Sequence, residues 1–266
     1  SIGLEDSPDL VAARKVANFL GTDHTEVKFT VEQGLHCVRE VIHSLESYDT
    51  TTVRASTPMW LLCKYIKENT DCRYIFSGEG SDELLGGYLY FHKAPSVDEF
   101  ACENMRRLRL IHQFDGLRAD RCAGAHGLDL IVPFLDKNFI QCCMEMNQNL
   151  KMTKLEKEIL REAFKGYLPD EVLWRQKDGM SDAVGTGWVG ALRAHTKEIM
   201  SDKMFEITQG LCPHNTPLTK EEAYYRELFW THFGSRNDHL ISEIWRPKWT
   251  TVTDPSARLL IEKNPE

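Results

Sequence analysis

A short turn rich in glycine, serine and acids, residues 77–83, is the clearest candidate for chemistry in the chain. It follows Tyr74–Phe76, an apolar segment without polar alternation that is predicted to be a fully buried strand. Ligands of open α/β sheets collect at the carboxyl ends of strands, and glycine lets backbone N–H groups approach an anion. Glu79 and Asp82 have the wrong charge for phosphate, but Asp82 suits Mg²⁺, which binds carboxylates together with substrate phosphates. An ordinary surface turn has the same composition.

Two basic segments could face the same anion. Arg175 and Lys177 lie close together, and a fixed lysine can neutralise a leaving pyrophosphate as charge develops in the transition state. Lys157 and Arg161 are four residues apart, so on a helix they share one face and can point together at an anion. A solvated basic loop and a surface salt-bridge stripe are the ordinary alternatives. The sequence contains no Gly-x-Ser-x-Gly, His-Glu-x-x-His or Walker A pattern.

The elements that must position these residues alternate between strands and helices up to about residue 95. Ser-Pro-Asp at residues 7–9 predicts a helix start, and Gly21 predicts its end. Ser1 and Ile2 are all that precedes this helix as a strand, so we expect the upstream part of that strand to be missing. Further strands are predicted at residues 26–29 and 74–76, and helices at residues 30–45, opened by a Thr30–Gln33 capping box, and 57–68. This order predicts an α/β fold with a mostly parallel sheet flanked by helices.

Beyond residue 95 the strand signals fade and helical periodicity dominates. Helices are predicted around residues 99–111, 137–146, 155–164, 188–200 and 220–233. Asp136 suits the N-cap of the second of these. We therefore divide the chain into an α/β layer, residues 1–95, and a C-terminal helical lobe, residues 96–266.

Composition excludes several classes of partner. The net charge of −8 argues against a nucleic acid or a membrane surface, and no apolar run approaches the roughly 20 residues that span a bilayer. The eight cysteines form no Cys-x-x-Cys pair, which is typical of reduced thiols in a cytoplasmic protein, most of them filling the core. The sequence leaves the oligomeric state open, a homodimer included.

Taken together, the segments resemble the glutamine-hydrolysing asparagine synthetases, a family of ATP pyrophosphatases with an adenine nucleotide alpha-hydrolase-like fold. The resemblance covers nearly the whole chain, and its specificity comes from the order and spacing of motifs that are individually weak. These motifs stand at residues 7–10, 48–56, 76–84, 87–95, 132–136, 160–162, 174–177, 215–217 and 254–258.

The resemblance implies a ligase reaction in two steps. The side-chain carboxylate of aspartate attacks the α-phosphorus of ATP, which gives β-aspartyl-AMP and pyrophosphate. Ammonia, freed from glutamine by an N-terminal glutaminase domain, then displaces AMP and forms asparagine. By its matching position, Glu79 would take part in forming or consuming the acyl-adenylate. Asp82 would bind Mg²⁺ between the phosphates, and Lys177 would stabilise the α-phosphate and the pyrophosphate.

The same resemblance assigns a nucleotide-binding side to the site. Ile2, Ser77 and Gly78 would line the adenosine pocket, and Lys157 and Arg54 would complete the polar part.

The chain also departs from the family pattern. Ile131 stands where the family usually has arginine, and Asp129 stands where it usually has glutamate. Asp178 and Gly179 stand where the family typically has a glutamate followed by a larger residue. The family's pyrophosphate loop and glutaminase domain are absent from these residues, so we expect no ATP–pyrophosphate exchange from the 266 residues alone. A β-lactam-forming relative with another acceptor and a catalytically degenerate, non-enzymatic scaffold are the alternative readings.

Overall fold

A computed structural model describes residues 1–185, 187–252 and 254. The strands are β1 Ile2–Gly3, β2 Val27–Lys28, β3 Tyr74–Phe76 and β4 Asp129–Ile131. The α-helices are α1 Pro8–Leu20, α2 Val31–Leu45, α3 Thr50–Asn69, α4 Ser81–Leu85, α5 Val97–Leu110, α6 Asp115–Gly124, α7 Lys137–Glu145, α8 Glu158–Ala163, α9 Asp170–Leu173, α10 Met180–Ala183, α11 Trp188–Ile199, α12 Asp202–Leu211 and α13 Lys220–Phe233. Short 3-10 helices occur at Leu89–Lys93, Ile111–Gln113, Pro133–Leu135, Gln148–Leu150 and Ser235–Leu240. Of the motif at 254–258, all but Asp254 lies outside the described residues.

The fold is a helix-rich α/β arrangement with small parallel sheets. β1 pairs with β2 and β3 pairs with β4, both in parallel, so the described residues form two two-stranded sheets rather than one larger sheet. The expectation that strands end near residue 95 is wrong, because β4 comes from the region predicted to be a helical lobe. Its three residues carry little local signal, and the strand depends on pairing with β3 far away in sequence. The division of the chain at residue 95 stays a prediction.

The prediction that β3 is fully buried is also wrong. Tyr74 is 60% and Phe76 is 73% exposed, whereas Ile75 points the other way and packs, with Leu130 of β4, against residues of α3 and α6. A continuous apolar run indicates apolar side chains on both faces of a strand. Among the described residues, one of those faces is covered by helices and the other remains open.

Helix α3 begins well before its predicted start at residues 57–58. Its N-cap is Asp49, whose carboxylate accepts a hydrogen bond from the backbone N–H three residues on at 2.8 Å. Pro58 therefore lies inside the helix, where it has no N–H for the carbonyl of Arg54. The indole N–H of Trp188 donates to that carbonyl at 2.9 Å, so a distant residue supplies the missing bond. The predicted start was wrong because this compensation is tertiary.

Most other helix ends follow the predicted local signals. Ser7 caps α1, Gly21 ends it with φ 66°, the Thr30–Gln33 capping box opens α2, and Asp136 caps α7. The helix predicted at residues 155–164 is shorter, since Lys157 has a left-handed backbone (φ 56°) and α8 starts after it. Helices α6 and α12, and the short helices α4, α9 and α10, were not predicted from the sequence.

Four apolar clusters hold these elements together. The largest joins β1, α2, α3, α11 and α13 around Trp188, and another packs α4 against α7 and α8 through Leu84 and Leu85. All eight cysteines are unpaired, as predicted, and five of them are buried. No helix within the described ranges is long and apolar enough to cross a bilayer.

Candidate active site

A cavity of about 650 Å³ lies where the turn after β3 faces the segment between α8 and α10. It brings together six of the eight residues predicted for the site, namely Ser77, Gly78, Glu79, Asp82, Lys157 and Lys177. The other two lie elsewhere. Ile2 packs in the largest apolar cluster, and the buried guanidinium of Arg54 contacts Glu221 at 2.7 Å and Asp254 at 3.1 Å.

Glycines shape the turn that carries the acidic residues. The N–H of Ser77 donates to the carbonyl of Ile131 at 2.9 Å, which continues the β3–β4 pairing into the turn. Gly80 then has φ 93°, a backbone conformation that favours glycine, and it opens α4. Gly87, just beyond α4, lies under the carboxylate of Asp82, where a β-carbon would be 1.9 Å from Oδ1. The position of Asp82 therefore requires glycine at residue 87.

Helix α4 is anchored from both sides. The side-chain amide of Asn104 in α5 donates to the carbonyl of Glu83 at 2.6 Å. The buried ammonium of Lys151 donates to the carbonyls of Leu84 and Cys143, each at 3.0 Å. Burial lowers the pKa of Lys151 to about 8. These bonds fix the short helix that presents Asp82 to the cavity.

Two lysines converge on the carboxylate of Asp82. The Nζ of Lys157 lies 2.7 Å from Oδ1, and the Nζ of Lys177 lies 3.6 Å from Oδ2. Burial acts to raise the pKa of Asp82, but the positive charges of Lys177 and Lys157 outweigh it and hold that pKa well below its usual range. In this cluster two ammonium side chains face a single carboxylate. This part of the cavity therefore offers two cationic groups to an anion while keeping the Asp82 carboxylate ionised.

Lys177 is held by more than Asp82. Its Nζ lies 5.0 Å from the ring centroid of Tyr88, within the range of a cation–π contact. Burial acts to lower the pKa of Lys177, but Asp82 and then Asp115 and Glu83 raise it above its ordinary value. The ammonium group therefore stays charged although it is buried.

Glu79 forms a buried ion pair with Arg118 of α6. The Nη2 of Arg118 lies 2.8 and 2.9 Å from the two carboxylate oxygens of Glu79, and Nη1 lies 2.7 Å from Oδ1 of Asp115. Burial raises the pKa of Glu79 above its ordinary value, and Arg118 only partly opposes this. A carboxylate with a raised pKa that borders a cavity is a candidate proton acceptor.

The hydroxyl of Tyr88 lies between two more carboxylates. It contacts Oε1 of Glu83 and lies 2.8 Å from Oδ2 of Asp115. The hydroxyl has one proton to donate, so two ionised carboxylates cannot both be satisfied by it. Burial, together with the charges of Asp115 and Asp82, raises the pKa of Glu83 to about 8. With this raised pKa, Glu83 can hold a proton near neutral pH, so the Tyr88 hydroxyl need not face two ionised carboxylates.

Sequence reasoning overlooked three of these groups. Tyr88, Asp115 and Arg118 are absent from the site residues that the sequence predicted. The signal that could have found them is an arginine and an aspartate three residues apart on one face of α6, a helix that was itself missed. Arg161 lines the cavity as expected, but its guanidinium contacts backbone carbonyls.

The donor set fits a shared Mg²⁺ site. No group of three or more His, Cys, Asp or Glu residues able to hold a metal occurs in the described part of the chain. Mg²⁺ commonly binds one or two carboxylates and completes its shell with water and substrate phosphates. Asp82, ionised and facing the cavity, can be such a ligand if one ammonium group releases a carboxylate oxygen to the metal.

Fold and site together define the class: an α/β protein with a cavity, lined by both acidic and basic side chains, at the carboxyl end of a parallel strand. A family model described as asparagine synthase matches residues 1–108 and 96–257. The chain belongs to this family, which confirms the resemblance.

Individual relatives agree with the family match. The chain is 49% identical over 267 aligned positions to the asparagine synthetases (glutamine-hydrolyzing) of Cricetulus griseus, Mus musculus and Homo sapiens. Each alignment covers 98% of this chain and 47% of the relative. The chain therefore spans about half the length of the curated relatives it matches.

Proposed function

We propose that this chain is the synthetase part of an enzyme that makes asparagine from aspartate, ATP and glutamine-derived ammonia through β-aspartyl-AMP. The observation that carries the proposal is the convergence of Lys157 and Lys177 on Asp82, beside the buried Glu79–Arg118 pair, in one cavity. The proposal includes an ATP-pyrophosphatase type of fold, which the parallel pairing of β3 with β4 supports.

In the first step, the β-carboxylate of aspartate forms a bond to the α-phosphorus of ATP, and the bond from that phosphorus to the pyrophosphate oxygen breaks. Lys177 and Lys157 neutralise the charge that develops on the α-phosphate and the leaving pyrophosphate. Asp82 would hold Mg²⁺, which when bound would supply positive charge to the phosphates. Ser77 and Gly78, at the rim of the same turn, border the nucleotide.

In the second step, ammonia forms a bond to the β-carbonyl carbon, and AMP leaves with the oxygen that had bridged carbon and phosphorus. The attacking nitrogen loses a proton, which the carboxylate of Glu79 accepts. Its pKa is raised by burial, and Arg118 keeps the ionised form accessible. The glutaminase domain that would supply ammonia is expected upstream, as a partner in the same polypeptide.

The compartment belongs to the same proposal. None of the eight cysteines is paired, although Cys142 and Cys143 are neighbours, and unpaired thiols are typical of the reducing cytoplasm. A homodimer is compatible with this assignment.

Isotope transfer tests the reaction directly. The polypeptide that carries this chain, together with the upstream residues of its coding sequence, is incubated with ATP, Mg²⁺, ammonia and aspartate labelled with ¹⁸O in the β-carboxylate. We expect one ¹⁸O atom in AMP, measured by mass spectrometry, and asparagine in equal amount. Lys177→Met should lower the rate at least about 100-fold, while Lys15→Met, on the exposed face of α1, should leave it unchanged.

Other outcomes would redirect the assignment. AMP that forms without dependence on ammonia would favour a relative that closes a ring with an internal amine. Unlabelled AMP, or ADP as the product, would refute the acyl-adenylate route. Absence of any ATP turnover in the intact polypeptide would favour the non-enzymatic scaffold.

A further inference from the structure

Arg161 of α8 joins two separate backbone segments at the edge of the cavity. Its Nε donates to the carbonyl of Glu156 at 2.7 Å, and its Nη1 donates to the carbonyls of Leu173 and, at 2.8 Å, Arg175. The side chain is 11% exposed. One guanidinium thus binds the carbonyl of Glu156, before it in the chain, and the carbonyls of Leu173 and Arg175, which follow Glu156 by 17 and 19 residues.

These carbonyls lie next to the two lysines of the site. The carbonyl of Glu156 belongs to the same peptide plane as the backbone nitrogen of Lys157, and the carbonyl of Arg175 is two residues before Lys177. Both lysines reach the same carboxylate, that of Asp82. The guanidinium therefore fixes the two points of the backbone from which these ammonium groups extend.

The backbone at Lys157 shows why such a bond is needed. Its φ of 56° is left-handed, a conformation that is unfavourable for a residue other than glycine. Such strain persists where surrounding contacts determine the conformation. The bond from Arg161 to the Glu156 carbonyl holds the peptide plane immediately before the strained residue.

We propose that Arg161 is a positioning residue that sets the spacing and direction of the ammonium groups of Lys157 and Lys177. The expected effect on catalysis rests on the proposed function. The link that Arg161 makes between the two backbone segments does not depend on it. Direct binding of an anion by Arg161 is the competing role. The geometry favours positioning, because three of the five N–H groups of the guanidinium already point at carbonyls.

Hydrogen exchange on the intact polypeptide, read at amides of this chain, tests the link without any assay of activity. The amides of Trp174 and Arg175 donate to the carbonyls of Asp170 and Val172, so their protection reports the order of this segment. In Arg161→Lys, whose ammonium cannot span three carbonyls, we expect both amides to exchange at least about tenfold faster, with protection in α2 unchanged. The matched control is Arg14→Lys, a bidentate pair with Glu26 on the surface, which should leave both amides at wild-type rates. Unchanged exchange of these two amides in Arg161→Lys would refute the link. If α2 also loses protection, the variant is unfolded as a whole, and the same two amides are then measured in Arg161→Gln at a lower temperature.

Kinetics of the intact polypeptide separate positioning from direct binding. Misplacing reacting groups by about 1 Å can cost about 100-fold in rate, so we expect kcat/KM for aspartate-dependent ATP–pyrophosphate exchange to fall about 100-fold in Arg161→Lys. Guanidinium ion added to Arg161→Gly should restore at least a tenth of the activity. An anion-binding role predicts the opposite for the lysine variant, since lysine also binds phosphate, and near-wild-type activity would overturn the proposal. No exchange in the wild type would count against the proposed function, and hydrogen exchange would still decide the link.

Discussion

The buried pair of Arg118 and Glu79 makes a prediction that does not depend on the reaction. Arg118→Met removes the guanidinium that contacts both Glu79 and Asp115, and leaves two carboxylates in a buried place. The Arg118 and Glu79 side chains are only 9% and 14% exposed, so solvent can replace little of the lost interaction. Breaking a buried pair by removing one partner costs about 3–5 kcal/mol. We expect the free energy of unfolding to fall by that amount at about pH 8.

The decrease in the free energy of unfolding caused by Arg118→Met should become larger as the pH rises. Burial already raises the folded-state pKa of Glu79 above its unfolded value, and removal of Arg118 raises it further. A group with a raised folded-state pKa contributes stability below its unfolded pKa and loses that contribution as the pH rises through the folded pKa. The difference in the free energy of unfolding between variant and wild type should therefore grow as the pH rises above the ordinary pKa of glutamate. For each titrating group it grows by at most about 1.4 kcal/mol per pH unit.

Urea unfolding followed by far-ultraviolet circular dichroism, at pH values from about 5 to 8, measures both effects. The matched control is Arg121→Met, one turn along α6, where Arg121 is 41% exposed and lies 3.2 Å from Glu46. An exposed pair of this kind is worth at most about 1 kcal/mol, without a strong pH dependence. Adding Glu79→Gln to Arg118→Met should recover part of the loss. If Arg118→Met costs no more than Arg121→Met and shows no dependence on pH, the account of this buried network is wrong.

Three further predictions concern neighbouring features. Gly87→Ala places a β-carbon 1.9 Å from Oδ1 of Asp82, so the carboxylate must move by about 1 Å, and kcat/KM of the intact polypeptide should fall about 100-fold. Trp188→Phe removes the donor to the carbonyl that Pro58 leaves free in α3, which should lower the free energy of unfolding by about 1–3 kcal/mol in urea titrations. Glu83 has a folded-state pKa of about 8, above its ordinary value, so wild-type stability should decline between about pH 5 and 8, and Glu83→Gln should remove that slope.

Controls for these three come from the chain itself. Gly190→Ala, in α11 with nothing near the new β-carbon, should leave kcat/KM unchanged. Adding Pro58→Ala to Trp188→Phe returns an N–H to the helix and should restore part of the stability; no recovery would contradict the proposed compensation. Parallel stability curves for wild type and Glu83→Gln between about pH 5 and 8 would show that Glu83 does not retain its proton in the folded protein.

Local chemistry explains which parts of the fold were predictable. The N-terminal starts of α1, α2 and α7 were predicted because a serine, threonine or aspartate side chain accepts hydrogen bonds from backbone N–H groups up to three residues further on. Helix α13 was predicted to the residue at both ends, Lys220–Phe233. The turn at residues 77–83 was recognised because glycines, acids and a preceding apolar strand are all adjacent in sequence.

Other features depended on contacts between distant residues. The true start of α3 needs Trp188 to satisfy a carbonyl 134 residues away, and β4 exists through pairing with β3. The exposure of Phe76 depends on which helices cover the sheet, which periodicity does not specify.

The candidate site shows the same division. By itself, the sequence determined the identity of the groups that can bind phosphate and metal, Asp82, Lys157 and Lys177 among them, and the family to which their spacing belongs. Tertiary structure alone decided that both lysines reach one carboxylate, that Arg118 pairs with Glu79, and that Arg54 faces Glu221 instead of the cavity. The physical reason is that residue type sets charge and hydrogen-bonding capacity. The pKa, the partner and the direction of each group depend on burial and on segments of the chain that come together only in the folded protein.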